Sequence, residues 1–63
     1  MPISGKFIIK KLKKLGWEIV SQSGSHVKVG KGTTKAIVPV HGNKDLPKGT
    51  IKSIEKQTGE KLL

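Results

Sequence analysis

The chain runs through two apolar rhythms. Ile8, Leu12 and Leu15 recur at i, i+4 and i+7, with Ile9 beside them, which predicts a helix with one apolar face. Ser4 stands where an N-cap would and Gly16 where helices commonly stop, so this helix should begin near Gly5. Lys6, Lys10, Lys11, Lys13 and Lys14 fall on the opposite arc, with Phe7 among them. From Trp17 to Gln22 the rhythm changes to alternation, Trp17 and Ile19 pointing one way and Glu18 and Val20 the other. Ser23, Gly24 and Ser25 read as a turn. His26 to Val29 alternates again, with Val27 and Val29 on one face and His26 and Lys28 on the other. Gly30, Lys31 and Gly32 read as a second turn, and Thr34 to Val40 as a third strand whose Ala36, Val38 and Val40 share a face. Pro39 lacks an N–H and fits an edge strand or a strand end. After a loop at His41 to Lys44, Pro47 suits the first turn of a second helix. Ile51 and Ile54 give it an apolar side, with Thr58 nearby. Gly59 ends it, and Leu62 and Leu63 can fold back on the core. Helix, three antiparallel strands and helix predict an α+β sandwich, two helices packed on one face of a short sheet.

The length of 63 residues implies one domain, 1–63. A domain this short buries roughly 60% of the surface its unfolded chain exposes, leaving no room for a deep cofactor cavity; no cofactor is expected. There is no cysteine, which excludes disulfides and thiolate zinc sites. The longest apolar runs, Phe7 to Ile9 and Ala36 to Val38, are too short to span a membrane or to resemble a secretion signal. A cytoplasmic protein without membrane contact is the expectation.

Charge changes the picture most. The 13 basic residues, all lysine, face 4 acids, for a net charge of +9. Such an excess draws polyanions, and nucleic acid above all. Arginine would offer a planar fork for guanine edges or phosphate, whereas lysine acts as a point charge. An all-lysine set therefore suits phosphate contacts and salt-sensitive binding with modest sequence preference. Lys6, Lys10, Lys13, Lys14, Lys28, Lys44 and Lys48 are the lysines expected to meet RNA.

Two histidines, no cysteine and the scattered acids Glu18, Asp45, Glu55 and Glu60 give no metal-binding pattern, so no metal is expected. RNA can nevertheless be cut without one, because its 2′-hydroxyl attacks the adjacent phosphate. The reaction needs a base for that proton, an acid for the leaving 5′-oxygen and positive charge at the phosphate. Histidine suits the proton transfers and lysine the charge. His26, at a turn-to-strand junction and opposite Val27 and Val29, is the candidate catalytic residue. His41 is either a second proton carrier or a residue that shapes its loop beside Pro39 and Gly42. Trp17, alternating with Ile19, reads as core. Phe7, among lysines, is either a surface residue or a ring for base stacking. The start of the second helix, near Lys44 and Lys48, could attract phosphate.

Gly24-Ser25-His26, the run from Val38-Pro39-Val40-His41-Gly42-Asn43-Lys44 through Asp45-Leu46, and Pro47-Lys48-Gly49-Thr50-Ile51 together resemble the HicA family. The lysine-rich first helix followed by Gly16-Trp17-Glu18 also fits, so the likeness covers nearly the whole chain. The segment Gly30 to Thr33 departs from it, carrying lysine where relatives often have arginine. The resemblance implies a toxin of a toxin–antitoxin pair, a fold like the double-stranded-RNA-binding domain, and messenger-RNA cleavage with His26 as catalytic histidine. It also implies a HicB-type antitoxin that covers the active site. The competing reading is a double-stranded-RNA-binding module without catalysis.

Overall fold

The computed structural model describes residues 3–42 and 44–62. Its elements follow the order α1 (Gly5–Lys14), β1 (Glu18–Ser23), β2 (His26–Lys31), β3 (Thr34–Pro39) and α2 (Lys48–Thr58). The strands form one antiparallel sheet in the order β1-β2-β3. Ile8 and Leu12 of α1 and Ile51 and Ile54 of α2 pack on Val27, Val29, Ala36 and Val38, with Trp17 and Leu62 completing the core. The alternate residues His26, Lys28, Lys35 and Ile37 are exposed. The two helices thus cover one face of the sheet and leave the other open, the expected α+β arrangement.

Local signals set the helix ends. The Ser4 side chain accepts from the Phe7 N–H at 3.2 Å, satisfying one of the unpaired donors of the first turn of α1. At the other end Gly16 takes φ 98°, its N–H bonds the Lys13 carbonyl and the Trp17 N–H bonds the Leu12 carbonyl at 3.0 Å. This pair of bonds is a Schellman motif, and the Leu12–Trp17 apolar pairing that accompanies it directs the chain into the core. Gly59 ends α2 in the left-handed conformation, its N–H donating to the Glu55 carbonyl. Pro47 is the N-cap of α2 instead of its first helical residue, a shift of one position from the expectation.

Both hairpins close through two-residue turns, Gly24-Ser25 and Gly32-Thr33, each with a glycine at positive φ in its first position. That is the type II′ pattern, whose twist matches that of the flanking strands. The second turn is therefore shorter than the expected Gly30 to Gly32. Gly30 and Lys31 belong to β2, paired with Lys35 and Thr34.

Two apolar residues leave the core. The helical rhythm puts Leu15 on the buried stripe of α1. The helix ends at Lys14, however, and Leu15 turns away as the C-cap, 38% exposed. Ile19 pairs with Val29 and so faces the helix layer, but β1 lies at the sheet edge, beyond the cover of the helices, and Ile19 is 44% exposed. A bulge between Ile19 and Ser21 shifts the register there, so alternation does not hold along β1. Trp17 precedes β1 and is buried as expected. Leu62 folds back on the core as well; Leu63 and Asn43 lie outside the described residues.

Candidate active site

His26 opens β2 directly after the Gly24-Ser25 turn, paired with Ser23 on one side and Pro39 on the other. Its neighbour Val27 points into the core, so His26 lies exposed on the open face of the sheet. The Ser25 carbonyl accepts from the Val40 N–H at 2.6 Å, which ties this turn to the end of β3. His41 follows Val40 and is also exposed, and its carbonyl accepts from the Lys44 N–H at 3.0 Å in the following loop. Both histidines therefore sit at the same end of the sheet.

Both helices begin at that end. Gly5 lies so close to the Pro39 carbonyl and Val40 that a Cβ would collide with the backbone. The segment leading to α2 is held against the N-terminal segment: the Leu46 N–H donates to the Ile3 carbonyl at 2.7 Å, and Ser4 bridges to Asp45. At the opposite end the Lys31 ammonium reaches the Leu15 carbonyl at 2.8 Å and Glu60 at 3.7 Å. The partial positive charges of two helix N-termini thus point toward the histidine end. Lys6, Lys44 and Lys48 stand near the starts of these helices and are exposed.

The lysines expected to meet RNA do not form one patch. Lys28 shares the open sheet face with His26, two residues along β2. Lys10, Lys13 and Lys14 line the outer side of α1, which covers the other face of the sheet. There Phe7, 50% exposed, joins Lys10, Lys11 and Lys14 around a shallow hollow of about 320 Å³. A second hollow of about 260 Å³ lies between α1 and β1, lined by Lys6, Ile9, Ile19, Gln22, Val27 and Val40.

Lys35 is a residue of this face that the sequence pattern does not single out. It pairs with Gly30, and its ammonium lies 3.3 Å from the point a Cβ on Gly30 would occupy. Lys35 therefore stretches across the middle strand on the face that carries His26 and Lys28. Its signal is the pairing register, which a turn placed at Gly30 to Gly32 conceals.

Among the described residues no group of histidine, aspartate and glutamate gathers to hold a metal ion, and no helix is long and apolar enough to cross a membrane. Comparison with curated proteins and with solved structures gave no match. The family model of the HicA toxin of bacterial toxin–antitoxin systems matches residues 5–60, nearly the whole chain. The Gly-Ser-His turn, the loop after β3 and the start of α2 all fall within that match, and the chain belongs to the HicA toxin family, as the toxin of a toxin–antitoxin pair.

Proposed function

We propose that this toxin is a metal-independent endoribonuclease that cuts messenger RNA with His26, and that a HicB-type antitoxin silences it by covering that residue. The observation that carries the reading is the exposure of His26 on the open sheet face with Lys28 beside it. His26 takes the proton of the RNA 2′-hydroxyl, the freed oxygen attacks the adjacent phosphorus, and the bond to the 5′-oxygen breaks. Lys28, one row along β2 from His26, adds positive charge whose field offsets part of what builds on that phosphate. The leaving oxygen takes its proton from His41, a lysine or water. DNA has no 2′-hydroxyl and is spared. Lys6, Lys44 and Lys48 attract the flanking RNA near His26, and Lys10, Lys13 and Lys14 extend the positive field over α1.

Incubation of the purified toxin with RNA in excess chelator, beside the His26→Ala variant, tests the assignment. Cleavage by the unaltered protein and loss in the variant are expected. Cleavage by both alike, or by neither, overturns the role of His26.

The position of Lys10, Lys13 and Lys14, on the side of the molecule away from His26, favours a second reading in which the chain binds RNA without cutting it. Salt-sensitive binding with no cleavage under any condition would establish that alternative.

A further inference from the structure

Three cross-strand rows make up the open face of the sheet. Ser23, His26 and Pro39 form the first, Ser21, Lys28 and Ile37 the second, and Glu18, Gly30 and Lys35 the third. Successive rows are two residues apart along β2, roughly 6.7 Å. This is close to the separation of neighbouring phosphates in an extended nucleic-acid strand. Positive charge recurs at the same interval. Lys28 supplies it in the second row, and Lys35 in the third by reaching over Gly30. Gly30 makes that reach possible: Val20 and Lys35 close over it, at 3.0 Å and 3.3 Å from where its Cβ would stand. Val20 and Ile37, 50% and 43% exposed, border Lys28 with apolar surface on which base or sugar faces can rest. Glu18 ends the third row at the β1 edge, and its carboxylate repels phosphate toward β2 and β3.

From this geometry we infer that a single RNA strand lies along β2 on the open sheet face, with the scissile phosphate at His26 and the next two phosphates at Lys28 and Lys35. Lys35 is a binding residue of this track, and Gly30 is its floor. The inference rests on the proposed ribonuclease activity and adds to it the path of the substrate. The outer lysines of α1 serve longer RNA through their field and are not part of the track.

Binding of a short, fluorescently labelled 2′-O-methyl RNA, which cannot be cut by this route, reads the track directly. Lys28→Gln and Lys35→Gln should each weaken binding about threefold or more and lower the salt slope by about 0.7. The triple change Lys10→Gln, Lys13→Gln and Lys14→Gln should lower the short strand's salt slope less than Lys35→Gln does. Gly30→Val should mimic Lys35→Gln by displacing the lysine, and circular dichroism and Trp17 fluorescence would verify that each variant is folded. An unchanged affinity in folded Lys35→Gln, with the loss carried by the α1 triple variant, would overturn the track. So would an effect of Lys35→Gln confined to binding of the antitoxin. Cleavage of unmodified RNA by the unaltered protein separates the two levels: cleavage without a Lys35 effect sinks the track alone, and absence of cleavage sinks the ribonuclease reading.

Discussion

The indole N–H of Trp17 donates to Oε2 of Glu60 at 2.9 Å, joining residues 43 positions apart. Trp17 is 3% exposed, so its N–H has little access to water once Glu60 is gone. Glu60→Ala should therefore cost about 1–2 kcal/mol, the penalty of an unsatisfied buried donor. In a domain this small each kcal/mol corresponds to about 4–8 °C of melting temperature. Lys31 meets the same carboxylate at 3.7 Å but is half exposed, and Lys31→Gln should change stability by less than about 1 kcal/mol. Urea unfolding followed by Trp17 fluorescence measures both. Equal effects of the two changes would show that the indole bond contributes no more than the contacts of Lys31 with Glu60 and the Leu15 carbonyl.

Gly5→Ala should be more damaging than its chemistry suggests. A methyl group there meets the backbone at Pro39 and Val40, which cannot rotate aside. Overpacking of this kind costs about 1–3 kcal/mol. Gly49→Ala, where a methyl group meets nothing within 4 Å, is the control and should be neutral or slightly stabilising. Similar losses in thermal melts of the two variants would contradict the close approach of α1 to the end of β3.

His26→Gln and His41→Gln should separate the two histidines. Loss of a positioned proton carrier lowers the rate by about 10²–10⁴-fold, and this is expected for His26. His41, whose carbonyl shapes the loop to Lys44, should retain cleavage within about tenfold when its ring is replaced. Single-turnover cleavage of RNA decides; a drop at His41 as deep as that at His26 would make it the second proton carrier.

Long RNA should sense the outer lysines of α1. The change of Lys10, Lys13 and Lys14 to glutamine should weaken its binding across sequences and lower the salt slope by about one for each phosphate that the variant no longer neutralises. Folding should survive, because all three side chains are exposed. A salt dependence identical to that of the unaltered toxin would exclude α1 from the RNA interface.

The antitoxin should protect the toxin from heat as well as silence it. A partner that binds the folded state at 100 times its Kd adds about 2.7 kcal/mol. His26 and the α1 lysines lie on opposite sides of the molecule, so a compact partner that occludes His26 must sit on the open sheet face. In crosslinking of the co-expressed pair, Lys28 and Lys35 should react less than Lys13 and Lys14. Preferential protection of the α1 lysines, with cleavage undiminished, would exclude inhibition by occlusion.

Much of this architecture is legible in the pattern of residues. Alternation through Val27 and Val29 is enough to place His26 and Lys28 on the outward face, because a buried strand face leaves one choice of register. Ser4, Gly16 and Gly59 mark helix ends through their own hydrogen bonds or backbone freedom. Leu15 and Ile19 mislead because apolar character reports burial only where another element arrives to cover it. The helix stops before Leu15, and the edge strand outruns its cover at Ile19. Lys35 is hidden for a different reason. Its place depends on which residues of β3 lie opposite β2, and a shift of the turn from Gly30–Gly32 to Gly32-Thr33 changes every one of those pairs.

The bond between Trp17 and Glu60 also bears on when this protein comes to exist during its synthesis. The two hairpins are local and can close as soon as β3 has been made. The core cannot: Leu62 is one of its buried residues, and its N–H donates to the Glu55 carboxylate at 2.6 Å. While residues 60–62 are still inside the ribosome, Trp17 has neither its acceptor nor its full cover, and the sheet that presents His26 lacks a finished foundation. A toxin built this way becomes competent only once residues 60–62 have emerged, so the surface that carries His26 is finished later than either of the hairpins that make it.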